Sequence, residues 1–241
     1  AVIAVGDFDE KEMEKSIKKN FSPLKKGTPV KKPGKEVPVQ DKVISAVYKD
    51  KEADATAFTA YFRLPHKSVV TEQDYRETVV RNLFSTMLSG RYSELRNSQD
   101  PPFVSAHAGF SSLFDTLSFF TVSAVLRNDS VLPGAERVTE ELARVLDHGF
   151  TPGELSRAKA QLLSMMEQAY NEKDKTPSAA FAAEYIRNFL DNETIPGIEK
   201  EYEIYAESLP AITLEEVNNL RCIVSEIIQG IDSSLSVHDF R

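Results

Sequence analysis

Four histidines and one cysteine are the side chains in this sequence best suited to bind a metal or act as a nucleophile. None of the histidines is followed by a second His or a Glu at the third or fourth position, the spacing that places two ligands on one helix face. We therefore predict capping or structural roles, rather than metal ligation, for all four: His66, His107, His148 and His238.

The cysteine, Cys222, lies beside Leu220 and Ile223 in a helical pattern. We predict a buried and inert thiol, because the sequence points to no histidine that would activate it. The sequence also lacks C-x-x-C, G-x-S-x-G and G-x-x-x-x-G-K-[ST] motifs. A free-standing hydrolase that uses carboxylates such as Glu52 and Asp54 is a remote alternative, since charged residues near a turn are usually just solvated.

Composition places the chain among ordinary globular proteins. Its 241 residues include 41% apolar and 27% charged residues, and the net charge is 29 − 37 = −8. This length allows one large domain, or one domain plus a fragment. The dispersed negative charge excludes a nucleic-acid surface, which needs a basic patch. No apolar run approaches the ~18 residues needed to span a membrane.

The first forty residues predict a strand, a helix and a linker. The β-branched run 1–5, followed directly by Gly6, is typical of a buried strand, so we expect the chain to be cut from a larger protein. Asp9 is the predicted N-cap of a helix over 10–20, with Met13 and Ile17 on its buried stripe. Four prolines and several lysines in 22–42 then predict an extended linker at a domain boundary.

Alternating and helical patterns fill the rest of the chain. Strands are predicted over 43–49 and 55–64, followed by a long helix from Thr71 to about residue 97. A hairpin over 103–114 and 117–126 turns at 115–116. The remaining pattern is helical, over about 132–148, 152–173, 177–191, 196–208 and 213–228. The tail from 229 onward shows no strand or cap, so we expect a second cut there.

Three segments in a fixed order carry a recognisable signature. The first is Gly-Asp-Phe-Asp between the opening strand and its helix, and the second is the stretch 88–103 with Arg91, Glu94-Leu95-Arg96 and Pro102-Phe103. The third is Gly-Phe-Thr-Pro-Gly-Glu-Leu at 149–155, followed by Ala158-Lys159. Whatever the family, the third segment predicts a helix corner: Gly149 closes one helix, Thr151 caps the next, and Glu154 completes a capping box.

In order and spacing, these segments resemble the insulinase/pitrilysin family of zinc peptidases, the inverted zincins, over nearly the whole chain. The resemblance implies an α+β fold with an antiparallel-rich mixed sheet packed against several helices. It also implies that residues 1–21 are the terminal strand and helix of a preceding catalytic domain. After the linker at 22–42, residues 43–241 would form an inactive domain of the C-terminal type. Family members bind zinc through H-x-x-E-H and a distant Glu, a motif that this sequence lacks.

The resemblance also implies candidate substrate-binding residues and no catalytic or metal-binding ones. Some members hold the substrate or an oxyanion with an Arg and a Tyr seven residues later. Arg96 is the nearest match here, but Phe103 stands where the Tyr would be and offers no hydroxyl. Arg96, Arg91 and Phe103 are therefore the candidates, against structural or solvent-facing roles.

The function implied is that of a non-catalytic domain of a zinc metalloendopeptidase, which helps to form a peptide-binding chamber while zinc is bound upstream. Peptide substrates would pair with exposed strand edges. The other expected partner is the catalytic domain, in the same chain or in a partner subunit. The alternative is a degenerate, non-peptidase homologue that acts as a structural or processing-partner subunit. A bacterial periplasmic setting rests on the resemblance alone, with the cytoplasm as the alternative.

Overall fold

The computed structural model describes residues 2–25, 27, 43–114, 117–191 and 193–230. Within them, one N-terminal helix precedes an antiparallel sheet and a set of helices. The elements are α1 (Glu10–Phe21), β1 (Thr56–Pro65), α2 (Glu72–Arg96), β2 (Phe103–Phe114), β3 (Leu117–Leu126), α3 (Val131–His148), α4 (Pro152–Asn171), a 3-10 turn (Lys173–Lys175), α5 (Ser178–Asp191), α6 (Ile198–Ala211) and α7 (Leu214–Gly230).

The described sheet has three strands in the order β1-β3-β2, and both pairings are antiparallel. β3 is therefore the central strand, with Phe120 opposite Phe62 on one side and Phe110 on the other. This arrangement confirms the predicted α+β class, although the described strands pair only antiparallel rather than in a mixed sheet. Side chains alternate between two faces along each strand, and in β3 the even-numbered positions, which face α2, are buried.

The core lies between that face and α2. Val79, Leu83, Phe84 and Leu88 on α2 are 7% exposed or less. Phe84 makes edge-to-face contacts with three rings, at centroid distances of 5.2–6.1 Å: Phe110, Phe120 and Phe150. Aromatic pairs in this geometry add about 0.5–1.5 kcal/mol each beyond their burial. The long helix is therefore fixed against the sheet over its middle turns.

Side-chain caps start three helices where the sequence predicts them. Asp9 accepts a hydrogen bond from the Glu12 amide at the start of α1. Thr71 and Asp74 form a capping box on α2, and Thr151 and Glu154 form one on α4. Each cap satisfies backbone donors that a helix start leaves free, so these boundaries follow from local chemistry.

Two predicted strands are not formed. Residues 2–5 and 43–50 carry no strand in the described structure, and their apolar side chains are exposed, with Ile44 at 69%, Val47 at 82% and Tyr48 at 87%. The apolar, β-branched pattern was read correctly as strand-prone, but a strand exists only where a neighbour completes its hydrogen bonds. The described residues supply no such neighbour to either segment.

Other predicted boundaries move by only a few residues. α4 ends at Asn171 rather than at 173, and α6 begins at Ile198, after Gly197 with φ +80°, and includes Pro210 in its last turn. The hairpin strands are confirmed. Their turn at 115–116, most of the linker (26, 28–42) and the tail from 231 lie outside the described residues. None of the helices in the described chain is both long and apolar enough to cross a membrane.

Candidate functional site

The face of the sheet that points away from α2 carries half-buried and exposed side chains. We call it the open face; it consists of the odd-numbered side chains of β1 from 57 to 63, of β3 from 119 to 125 and of β2 from 105 to 111. From Phe119 to the end of β3, half-buried side chains at odd positions alternate with buried side chains at even positions. The open face comprises Ala57, Thr59, Tyr61 and Arg63 in β1, Phe119, Thr121, Ser123 and Val125 in β3, and Ser105, His107, Gly109 and Ser111 in β2.

Small and hydroxyl-bearing side chains dominate the open face. The Thr121 hydroxyl donates to the Gly109 carbonyl at 3.3 Å, and the Ser123 hydroxyl donates to Thr59 Oγ1 at 3.2 Å. A methyl group built on Gly109 would meet no atom within 4 Å. The centre of the face is therefore a low, uncharged surface on which an extended chain could lie.

An aromatic pair projects from the open face beside these small side chains. Tyr61 is 65% exposed and meets Phe119 edge to face, with ring centroids 5.6 Å apart. A cross-strand aromatic pair stabilises a sheet, but this stabilisation does not explain why the Tyr61 ring is exposed. Exposed aromatic rings beside hydroxyl groups are also the chemistry that binds peptide side chains. The sequence alone does not reveal this pair, because a strand pattern does not show which of the two faces the helices cover.

Arg91 lies at a corner where three helices meet. Its guanidinium binds Glu154 through Nε at 2.6 Å and Nη2 at 3.1 Å, and donates to the Gly149 carbonyl at 3.0 Å. It also contacts Glu141 at 3.3 Å and stacks over the Phe150 ring, 5.2 Å from its centroid. One side chain of α2 therefore holds the end of α3 and the start of α4.

The charges of this corner stabilise each other. The hydrogen bond that Arg91 donates to Glu154 is the main reason why the pKa of Arg91 is raised. Burial alone would raise the pKa of Glu154, but hydrogen bonds from Arg91 and Thr151 outweigh burial and lower it below its ordinary value. Glu154 is therefore an ionised structural carboxylate that is committed to the corner.

The three predicted substrate-binding residues do not come together. Phe103 is fully buried and meets Tyr92 edge to face at 6.1 Å, so its position is that of a core residue rather than of a peptide-facing one. Arg91 is engaged at the helix corner. Arg96 is exposed at the end of α2. Substrate contact by any of the three stays a prediction.

The residues best suited for metal binding are also far apart. His66 Nδ1 lies 3.1 Å from the Ser118 hydroxyl, His107 is exposed on the open face, and His148 is exposed in the last turn of α3; His238 lies outside the described residues. No group of three His, Cys, Asp or Glu side chains in the described chain is close enough to hold a metal ion. These residues do not fit a zinc site.

Cys222 corrects a prediction. The thiol is exposed rather than buried, at a cleft of about 340 Å³ lined also by Leu146, Asp147, Arg221 and Ser225. The helical pattern of α7 was read correctly, but Cys222 lies at the edge of the stripe whose centre, Val217 and Val224, is fully buried. Periodicity identifies a buried stripe more reliably than it identifies its borders.

A second cleft, of about 160 Å³, lies between the segment before α2 and the connection from α5 to α6. Its lining includes Val69, Val70, Tyr75, Thr194, Pro196 and Ile204. The Tyr75 hydroxyl donates to Glu201 at 2.5 Å, and burial together with this carboxylate raises the pKa of Tyr75. Ligand pockets usually measure ~300–1,000 Å³, so this cleft is too small for a peptide.

The comparison with protein families agrees with this geometry. A family model described as the peptidase M16 inactive domain matches residues 1–162, which include the complete described sheet and the Arg91 corner. The chain belongs to the peptidase M16 inactive domain family. This membership confirms the resemblance to the insulinase/pitrilysin peptidases.

Curated relatives of this M16 inactive domain are much longer proteins. The "Zinc protease PQQL-like" protein of Arabidopsis thaliana is 28% identical over 220 residues, which are 90% of this chain and 20% of the relative. The probable zinc protease PqqL of Escherichia coli is 24% identical over 219 residues, 89% of this chain and 23% of the relative. The chain therefore spans about a fifth of the length of these relatives.

Solved structures share the fold of this M16 inactive domain. The first half of the periplasmic protease PqqL from E. coli superimposes with a TM-score of 0.76 at 18% identity, over 97% of this chain and 53% of that one. An insulinase family protease from Yersinia pestis gives 0.71 at 14% identity, over 93% and 48%. At these identities the likeness confirms the fold alone.

Proposed function

We propose that this M16 inactive domain is the non-catalytic domain of a zinc-dependent metalloendopeptidase, and that its open face forms part of the wall of a peptide-binding chamber. Zinc and the groups that activate water belong to another domain of the polypeptide or to a partner subunit. The family membership and the zinc proteases among its relatives support the first part.

The composition of the open face supports the second part of the proposal, that this face lines a peptide-binding chamber. It combines a low strip around Gly109 and Thr121 with the exposed Tyr61–Phe119 pair. A folded partner usually needs about 800 Å² of contact surface on each side, whereas an extended peptide needs room for its backbone and a few anchors for its side chains. β1 and β2 are also the two outer strands of the described sheet, and an outer strand offers unpaired backbone groups to a peptide.

Photo-crosslinking in the intact metalloprotease tests this proposal. A photoreactive aromatic residue in place of Tyr61 should crosslink to an unfolded peptide supplied as substrate. A matched control carries the same group at Arg144, which is 60% exposed on α3 at the helical side of the molecule. Equal crosslinking at both positions, or none at Tyr61, would contradict a peptide-facing open face.

The second function, a structural or processing-partner subunit without peptidase activity, shares this fold and makes a different prediction. In that case no H-x-x-E-H motif would stand elsewhere in the polypeptide or in its tightly bound partner. The intact protein would then cleave no peptide, with or without added zinc.

A further inference from the structure

α5 exposes the apolar side of the helix to solvent. A surface helix normally turns its apolar stripe toward the core and its polar side toward water. On α5 the apolar stripe recurs at three- and four-residue spacing, yet its members are 38–63% exposed: Phe181, Tyr185, Ile186, Phe189 and Leu190. We call these five side chains the α5 stripe.

The polar side of the same helix makes hydrogen bonds to the connection with α6, although Arg187 and Asn188 are themselves exposed. Arg187 Nε lies 3.0 Å from a Glu193 carboxylate oxygen, and the Asn188 amide donates to the Glu193 carbonyl at 2.6 Å. Glu184, on the same side, is half-buried, and burial together with the charge of Glu201 raises its pKa. The helix therefore uses its polar groups for attachment to the connection with α6.

The α5 stripe has the size of an interface between domains. With ~200 Å² for a whole aromatic side chain, the five exposed fractions amount to roughly 500 Å² or less. Partners that associate freely bury about 800 Å² each, so the stripe alone is too small to hold a second copy. Interfaces between domains of one chain bury about 600–1,500 Å² in total. A contact of the size of the α5 stripe is sufficient between such domains, because the covalent link between them raises their effective concentration.

The net charge of the chain and the length of its relatives favour one partner for the α5 stripe. The whole chain carries a net charge of −8, which disfavours an anionic membrane surface. The curated relatives are about five times longer than this chain, and the superimposed half of PqqL is about twice as long. We propose that the α5 stripe is the docking surface for an apolar patch on another domain of the same polypeptide. This inference rests on the proposed function only in requiring that the chain be one domain of a longer protein.

Hydrogen exchange along α5 tests the proposal. The amides of α5 should exchange at least about tenfold more slowly in the intact longer protein than in the 241-residue chain alone. The double substitution Phe189→Gln and Leu190→Gln, at the two most exposed positions of the stripe, should abolish that protection in the intact protein and leave the unfolding midpoint of the isolated chain nearly unchanged. The control Ala180→Gln, exposed on the other side of α5, should leave the protection intact.

Several results would overturn the proposal. One is equal exchange of α5 in both proteins, and another is the finding that this chain is itself the whole protein. Protection in the isolated chain that rises with its concentration would assign the stripe to a second copy. Protection on addition of phosphatidylglycerol vesicles would assign it to a membrane. These readouts do not depend on zinc or hydrolysis, so failure here is distinguishable from failure of the proposed function.

Discussion

Arg91 is the side chain on which the packing of three helices depends. It supplies two hydrogen bonds to Glu154, one to the Gly149 carbonyl, a contact with Glu141 and a cation–π contact with Phe150. Arg91 is a candidate for substrate binding only through the family resemblance. Its ion pairs could not be predicted, because their partners lie 50–63 residues away along the chain and leave no local pattern. Long-range ion pairs are the part of a fold that spacing alone reveals least.

Replacing Arg91 with Ala should lower the free energy of unfolding by about 2–4 kcal/mol, because it leaves the carboxylates of Glu154 and Glu141 without their shared partner. Arg96→Ala, one turn later and exposed, should change it by less than about 0.5 kcal/mol. Urea unfolding of both variants measures the difference. Similar losses for the two would show that the Arg91 corner is not the stabilising contact described.

The lowered pKa of Glu154 gives the corner a defined pH dependence. A carboxyl whose pKa is lower in the folded state takes up its proton more readily when unfolded, so it stabilises the fold at neutral pH. That contribution is lost as the pH falls below the ordinary value of 4.5 and through the lower folded-state pKa. The difference in unfolding midpoint between the native chain and Glu154→Gln should shrink over this range. A difference that stays constant would refute the assignment.

The corner between α3 and α4 shows which elements follow from local sequence. Thr151, Pro152 and Glu154 predict the start of α4, and Gly149 has the φ of +72° expected of a helix terminator. By contrast, residues 43–49 have an equally clear strand pattern and form no strand. A cap is complete within four residues, whereas a strand requires a neighbour from elsewhere.

Gly149→Ala should cost about 1–3 kcal/mol, because its φ disfavours a side chain and the new methyl group would lie 2.8 Å from Asn218 Oδ1. That oxygen accepts the Phe150 amide hydrogen bond at 2.8 Å, so it cannot easily withdraw. Gly153→Ala is the matched control: its methyl group would find its nearest neighbour at 3.7 Å, inside a helix that favours Ala. Thermal unfolding should separate the two, and an equal loss would count against this packing.

The unformed strand at 43–49 also makes a prediction. Val47→Pro should change the free energy of unfolding by less than about 0.5 kcal/mol, since residue 47 has no ladder hydrogen bond to lose. Ser123→Pro, in the central strand β3, should prevent folding because it removes a donor between two neighbours. A large cost at Val47 would indicate that the segment does pair in solution.

The whole molecule is a sheet with one face built into a core and the other left accessible. The fold class, both hairpin strands and the helix order could be predicted, because alternation, periodicity and caps are local signals. The open face, the α5 stripe and the exposed Cys222 could not, because each depends on which elements pack together. The surfaces that we propose to bind a peptide and a neighbouring domain are therefore those that the described residues leave uncovered.

Zinc content and hydrolysis of the 241-residue chain test most directly whether this domain is non-catalytic. The purified chain should contain no stoichiometric zinc by elemental analysis and should cleave no peptide in a chelator-sensitive manner. The intact longer protein should contain stoichiometric zinc and should cleave peptides in a chelator-sensitive manner. Tightly bound zinc in the chain alone, together with peptide cleavage that a chelator abolishes, would show that the catalytic site lies within these residues.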